Sequence, residues 1–238
     1  MTAETVEHAG VLEIVAGDRP IREVNQEIRA AVAAGRDVVV ERPMSRHNLA
    51  VALSGAGSVT FRGSVGYYCG GLSNGGRIVV EGNSGWGTGE GLDDGHITVH
   101  GNAGMSLGAA MRGGTIHVKG NAGPRCGVAQ KAGNIVVEGN VGYSTGFMGH
   151  GGRVICLGDA IGSVGDSLWE GSVWVAGEIR TLGVDAKVIT PSAEEVAEVE
   201  SLLSGLGVDA AGCDWKQVVS GQKLWYFEAR DAKKWLMI

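Results

Sequence analysis

Few residues of this chain have the types and spacing that chemistry needs, and the first is a serine. Gly71-Leu-Ser-Asn-Gly75 matches the Gly-x-Ser-x-Gly elbow, which exposes a nucleophilic hydroxyl on a turn between a strand and a helix. No helix pattern follows Ser73, so a structural turn is favoured over a nucleophile. Gly85-Trp-Gly-Thr-Gly89 suggests a phosphate site, but it opens no helix whose amides could hold an anion. We interpret both as turns.

The histidines are the next candidates, as metal ligands. His96 and His100 flank one strand pattern and share a face, but four extended residues separate them by about 13 Å, too far to chelate one ion. His117 does not complete a site. A metal centre is therefore not expected.

The four cysteines lie far apart in the sequence and form no Cys-x-x-Cys pair, which is typical of free thiols in a reducing cytoplasm. They are Cys69, Cys126, Cys156 and Cys213. We expect no catalytic, cofactor-binding or metal-ligating residue in this chain, and no cofactor of its own.

Glycines recur at an unvarying interval of nineteen residues, which indicates a repeat protein. Each unit contains one alternating apolar stretch, such as Thr115-Ile-His-Val-Lys119, and one Gly-Asn-x-Gly turn. Nineteen residues are too few for a βαβ crossover, so successive strands are parallel only if the chain winds as a solenoid. The sequence predicts an all-β parallel β-helix of seven coils, with one strand in each coil. The glycines of the main register are Gly63, Gly82, Gly101, Gly120, Gly139, Gly158 and Gly177.

The repeat also predicts which residues stack on one another. Two apolar columns, which run from Val59 to Val173 and from Phe61 to Val175, share the inner face of the strands. Asn83, Asn102, Asn121, Asn140 and Asp159 form a ladder that we expect to satisfy buried polar groups in the turns. An outer column mixes charges of both signs, in Arg62, Glu81, His100, Lys119 and Glu138.

The glycine at the turn supplies φ > 0 or room for a neighbouring chain. On the first ground, Gly120→Val is expected to misfold the rod.

Both ends of the chain depart from the repeat. A helix is expected over 18–35, with Asp18 as its cap, Pro20 in its first turn and Gly35 as its stop, followed by a strand over 36–41. A second helix begins after Ser192, its cap. Trp215, Trp225, Tyr226, Phe227 and Trp235 make the last segment aromatic, so it either folds back on the rod or docks on another protein. We divide the chain into a cap over 1–50, the β-helix over 51–180 and a helix with an aromatic tail over 181–238.

Composition excludes some function classes. The net charge is −6, with no basic block, so nucleic acid is not an expected partner. The N-terminal sequence resembles no export signal and no apolar run is long enough to span a membrane, so we expect a soluble cytoplasmic protein.

Residues from about 45 to 180 resemble the GXGXG β-helix domain at the C-terminus of the glutamate synthase large subunit. The resemblance is carried by the glycine registers and by Arg46-His-Asn-Leu-Ala-Val-Ala-Leu-Ser-Gly55, Gly63-Ser-Val-Gly66 and Gly70-Gly-Leu-Ser-Asn-Gly-Gly-Arg-Ile-Val-Val80. The segment Trp215-Lys-Gln-Val-Val-Ser-Gly-Gln-Lys-Leu-Trp225 is similar to the end of the stand-alone form. The resemblance implies a right-handed β-helix with an architectural role.

The resemblance also implies partners. It implies a non-catalytic subunit of a glutamate synthase-like or N-methylglutamate synthase (methylamine-glutamate N-methyltransferase) complex in nitrogen metabolism. Such a hetero-oligomer joins a glutaminase-type amidotransferase subunit to an FMN-binding subunit, so FMN and an iron-sulfur cluster are expected in a partner. One separate subunit of formylmethanofuran dehydrogenase resembles this chain in the same repeat, and a component of that type of complex is the alternative.

An enzyme with its site on the surface of the rod is a further alternative. Polysaccharide-cleaving β-helices cluster acidic and basic side chains on strand faces. Here, only Glu90, Asp93 and Asp94 form a dense acidic group, in one loop. The pattern therefore favours the scaffold.

Overall fold

The computed structural model describes residues 5–8 and 10–222, which form a parallel β-solenoid of about seven turns flanked by two helices. Each coil contributes one strand, and the described strands form a single sheet in the order β1-β2-β3-β4-β5-β6-β7-β8-β9-β10-β12-β11. The elements are β1 Thr5–His8, β2 Val11–Val15, α1 Ile21–Ala33, β3 Asp37–Glu41, β4 Ser54–Arg62, β5 Asn74–Val80, β6 Asp94–Val99, β7 Thr115–Val118, β8 Asn134–Val137, β9 Arg153–Cys156, β10 Ser172–Val175, β11 Ala186–Ile189, α2 Ala193–Gly205 and β12 Lys216–Ser220. The parallel β-helix prediction is confirmed.

The nineteen-residue interval becomes the register of the sheet. Ile97 pairs with Ile116 and Ile116 with Ile135, so like residues stack from coil to coil. The two predicted inner columns are buried from Val59 to Val173 and from Phe61 to Val175. Removing each such side chain from water contributes about 1.5–3 kcal/mol. Because every coil adds one residue to each column, this stabilisation is distributed evenly along the rod.

The Gly-Asn-x-Gly turns need glycine for space and not for φ. Gly120 does not adopt a positive φ, so the reason given for the Gly120→Val expectation is wrong. A Cβ on Gly120 would lie 2.6 Å from Oδ1 of Asn102 and 2.7 Å from the carbonyl oxygen of Gly101. The positive φ occurs in another register, as at Gly108 with φ +62. The turn glycine is therefore required because the coil below passes too close for a side chain.

The N-terminal helix starts later than the sequence suggested. Pro20 is the residue before α1, and it has extended backbone with ψ 127. No side chain in the described part of the chain caps the helix, so the assignment of Asp18 as cap is wrong. Gly35, with φ +75, follows the helix as expected. The residues of α1 that face the core include Val24, Ile28 and Val32, and all three are buried.

Strands β1 and β2 do not belong to the repeat, and the sequence pattern did not predict them. They form an antiparallel pair, and β2 then pairs in parallel with β3 at the start of the solenoid.

The C-terminal helix packs on the outside of the sheet. Ser192 caps α2 and forms a capping box with Glu195, as expected: the hydroxyl accepts from the N–H of Glu195 at 3.2 Å. Outward side chains of three strands and the inner side of α2 make a second core, which the repeat pattern did not predict. Its buried members are Val136, Ile155, Trp174, Val199, Leu203, Val208, Ala210 and Trp215.

Strand β12 closes the last coil by pairing antiparallel with β10. Trp215, just before β12, folds back on the rod, whereas Trp225, Tyr226, Phe227 and Trp235 lie outside the described residues. In the described part of the chain, neither helix is long and apolar enough to cross a bilayer.

Candidate functional site

Ser73 is positioned as a structural hydroxyl. It is buried, its Oγ accepts from the N–H of Leu53 at 3.1 Å and donates to the carbonyl oxygen of Ala50 at 3.4 Å. The next residue, Asn74, begins strand β5 and not a helix. An elbow serine needs an exposed Oγ above a helix N-terminus. The contacts of Ser73 instead hold one coil corner to the next.

Three of the four thiols are buried inside the solenoid. Burial raises the pKa of Cys69 to about 12 and that of Cys156 to about 12, and it also raises the pKa of Cys126. A nucleophilic or metal-binding cysteine acts as the thiolate, which these environments disfavour. These three residues therefore serve as small apolar side chains in the core.

The histidines occupy different environments. Nε2 of the buried His117 lies 2.8 Å from Oε1 of Glu138, while His100 is exposed. His96 lies one coil before His117, and burial, Arg77 and His117 together lower its pKa. Residues 5–8 and 10–222 contain no group of three or more His, Cys, Asp or Glu side chains that could hold a metal ion.

The acidic loop is not a cluster of free carboxylates. Oδ1 of Asp93 lies 2.8 Å from Nε of Arg112, and Oδ1 of Asp94 accepts from the N–H of Gly95 at 2.7 Å. Two of its three members are thus engaged by their own or a neighbouring coil. The arrangement does not resemble a hydrolytic carboxylate pair.

The asparagine side chains form the predicted ladder from coil to coil. Oδ1 of Asn102 accepts from the backbone N–H of Asn121 at 2.8 Å, and Oδ1 of Asn121 accepts from that of Asn140 at 2.8 Å. Asp159 continues the series by accepting from the N–H of Glu178 at 2.8 Å. The four asparagines lie at the surface, so the turn N–H groups that they satisfy are at the surface and not buried as expected. Each rung joins a side chain to the backbone of the next coil.

A column of mostly apolar side chains runs along the outside of the rod. We call it the aromatic ridge. His47 and Tyr67 stack with ring centroids 4.3 Å apart, and Tyr67 and Trp86 stack at 5.1 Å. Backbone hydrogen bonds link each coil to the next beside every member, as from the N–H of Tyr68 to the carbonyl oxygen of Trp86 at 2.7 Å. The members are His47, Tyr67, Trp86, Met105, Pro124 and Tyr143.

The large rings of the ridge are exposed. Tyr67, Trp86 and Tyr143 are 45%, 52% and 58% exposed. Leu72 and Met148 are also exposed. They belong to a further column, in which each position lies five residues after the ridge member of the same coil. The nineteen-residue interval could have revealed the ridge, but its residue types change from coil to coil, so the sequence pattern did not single it out.

A second surface feature is a groove on the outer face of the sheet, which we call the basic groove. It is formed where α2 ends against strands β5–β7, and its volume is about 370 Å³. Its lining residues are Arg77, His96, Thr98, His117, Lys119, Gly205 and Leu206.

Comparisons with known proteins support the fold. No protein-family model matches the sequence. No curated protein matches it. The structure is similar to a chain of the formyltransferase/hydrolase complex (FhcABCD) from Methylorubrum extorquens, determined in complex with methylofuran. The TM-score is 0.69 at 21% sequence identity, and the match covers 83% of this chain and 88% of that chain. At this identity the likeness establishes the solenoid fold.

Proposed function

We propose that this chain is a non-catalytic structural subunit of a hetero-oligomeric complex of the formyltransferase/hydrolase type. The observation that carries the proposal is the aromatic ridge. It places six residues in register along one side of a rigid rod, and its three large rings are about half exposed. Apolar surface of this extent on a folded protein marks an interaction site.

The dimensions of the ridge suit a protein partner. Six coils at the interstrand spacing of about 4.8 Å give a strip roughly 24 Å long. The exposed Leu72 and Met148 add large apolar side chains in the further column of the same coils. Tyrosine, tryptophan and methionine are the types enriched at the centres of such interfaces.

The kind of complex is suggested by the similar structure. That protein is a chain of a multi-subunit formyltransferase/hydrolase assembly. The likeness favours the alternative of a formylmethanofuran-type complex over a glutamate synthase-like one. Amidotransferase and FMN-binding partners rest on the sequence resemblance alone.

The chemistry of the chain supports a scaffold role. Ser73 is tied to two backbone groups, and burial of Cys69 and Cys126 disfavours their thiolates. These candidate nucleophiles are structural, so we assign the reaction to partner subunits.

The test is affinity purification of the chain from its native host, with mass spectrometry of the proteins that co-purify. We expect formyltransferase-like and hydrolase-like chains in fixed ratio. Recovery of a glutaminase-like chain with a flavin-containing chain would restore the glutamate synthase interpretation. Recovery of the chain alone would contradict both.

Two surface variants test the ridge. Trp86→Glu and Tyr143→Glu place a charge on exposed side chains that the fold does not need buried. We expect both to reduce partner recovery without changing the circular dichroism spectrum. Ile189→Glu, on the exposed edge strand β11, is the matched control and should leave recovery unchanged.

A further inference from the structure

The basic groove brings together cationic and hydrogen-bonding side chains from three consecutive coils. Arg77 and His96 are register partners in β5 and β6, and Thr98 and His117 are partners in β6 and β7. Parallel strands lie about 4.8 Å apart and same-face residues about 6.6 Å apart along a strand, so the backbone positions of these four residues lie within roughly 12 Å of one another. Lys119 follows β7 and completes the lining.

Arg77 and Lys119 differ from other strand-face cations in that they have no acidic partner among the described residues. Arg62 pairs with Glu41 at 3.1 Å and Arg153 pairs with Glu198 at 3.2 Å. By contrast, neither Arg77 nor Lys119 forms an ion pair with any carboxylate of the described chain. The carboxylate next to Lys119 in its column, Glu138, is bound by His117 instead.

The excess of positive charge affects a titratable group in the groove. Burial is the main cause that lowers the pKa of His96, and the charges of Arg77 and His117 lower it further. Glu138 faces His117 from the coil of β8, and α2 contributes Gly205 and Leu206 to the lining, which carry no charged side chain. The side chains that line the groove therefore include no carboxylate of the described residues.

The groove also has the size of a ligand site. The C-terminal end of α2 covers one side of it, and its volume of about 370 Å³ lies within the usual range for small-molecule pockets. Most of the lining side chains are polar, namely Arg77, His96, Thr98, His117 and Lys119, which suits a compact polar ligand.

We propose that the basic groove binds a small carboxylate or phosphate anion. Arg77 and Lys119 supply the charge, the guanidinium of Arg77 offers two parallel donors, and the Thr98 hydroxyl and the ring of His96 add hydrogen bonds. A free anion and a carboxylate side chain of a partner satisfy the same chemistry, so the experiment separates these two sources. The inference is independent of the proposed function.

The first arm is isothermal titration of the full chain with inorganic phosphate and with glutarate, at ionic strength held constant with sodium chloride. We expect saturable binding of at least one anion. The double variant Arg77→Gln/Lys119→Gln should weaken it at least about tenfold, because two charge-assisted contacts are lost. Lys131→Gln/Lys187→Gln removes the same charge from exposed lysines elsewhere on the rod and should bind like the parent. Equal weakening by both double variants would mean a general charge effect and would overturn the proposal.

The second arm measures recovery of partner chains with the same variants. If neither anion binds but only the groove variant loses partner chains, the anion is a carboxylate of a partner. If neither anion binds and recovery is unchanged, the groove is not an anion site. Saturable anion binding by a chain that recovers no partner would retain this inference and contradict the proposed function.

Discussion

Trp174 and Trp215 meet edge to face, with ring centroids 6.2 Å apart and planes inclined at 72°. Trp174 is on β10, the last strand of the repeat, and Trp215 belongs to the segment that follows α2. The pair therefore ties the C-terminal cap to the outside of the solenoid. It also explains why one strand of the repeat carries a buried tryptophan on its outer face.

Trp215→Ala should lower the free energy of unfolding by about 3–5 kcal/mol, since the side chain is buried in the second core. Trp86→Ala is the control, because that ring is half exposed and should cost less than about 1.5 kcal/mol. Urea denaturation followed by circular dichroism measures both. Equal losses would show that the cap does not depend on Trp215.

Gly120→Ala should destabilise the rod and Gly120→Val more so, because a Cβ there would overlap the coil below. Overpacking of this kind costs about 1–3 kcal/mol. Gly205→Ala is the matched control: its Cβ would meet no atom of the described residues within 4 Å at the end of α2, so it should stabilise by up to about 1 kcal/mol. Thermal melts of the two alanine variants should move in opposite directions, and a shared direction would refute the close-approach explanation.

Asn102→Ala removes the acceptor for the backbone N–H of Asn121 and should cost about 0.5–1.5 kcal/mol. Water reaches this exposed ladder, which keeps the cost modest. Asn102→Asp retains the acceptor, as Asp159 does for Glu178, and should be close to the parent. Chemical denaturation of the two Asn102 variants measures whether the acceptor oxygen accounts for the contribution of this side chain to stability.

Ser73→Ala should lower stability by about 1–3 kcal/mol, because it leaves the buried N–H of Leu53 without its acceptor. Any turnover of the assembled complex should be unchanged per molecule. Assays at matched complex concentration test this. Lost turnover with intact assembly would revive a catalytic role for the serine.

Thiol labelling should distinguish Cys213 from the other three cysteines. Cys213 is partly exposed, whereas Cys69, Cys126 and Cys156 are buried. Burial, Glu200 and Asp209 raise the pKa of Cys213, so its labelling rate should still be rising with pH beyond the usual thiol range. Mass spectrometry after brief iodoacetamide treatment should find one modified site in native protein at these positions. Labelling of Cys126 before unfolding would contradict the closed interior.

How much the sequence could predict differs between the repeat and the rest. The stacking of Ile97 on Ile116 follows from the interval and from period two along each strand, so the solenoid was predictable. The absence of a cap at Asp18 was not predictable from the pattern. Pro20 has extended backbone, so the helix begins only at Ile21. Strand β2 belongs to no repeat, so only its pairing with β3 identifies it.

The surface sites were harder to predict than the core. Every core position in a column shares one chemistry, whereas the aromatic ridge changes from His47 to Pro124 and is unified only by its register. The basic groove depends on α2 returning to the sheet more than eighty residues after His117. That return depends on the outward Trp174 and Ile155, whose partners cannot be identified from their own strands.

Each coil is hydrogen-bonded to one coil before it and one after it, as from the N–H of Gly139 to the carbonyl oxygen of Gly120 at 3.0 Å. A complete unit of nineteen residues could thus be gained or lost while like residues of the remaining coils still stack in the inner columns. Each such change would alter the length of the rod by about 4.8 Å. The number of coils therefore acts as a ruler that sets how far apart two bodies attached at its ends are held.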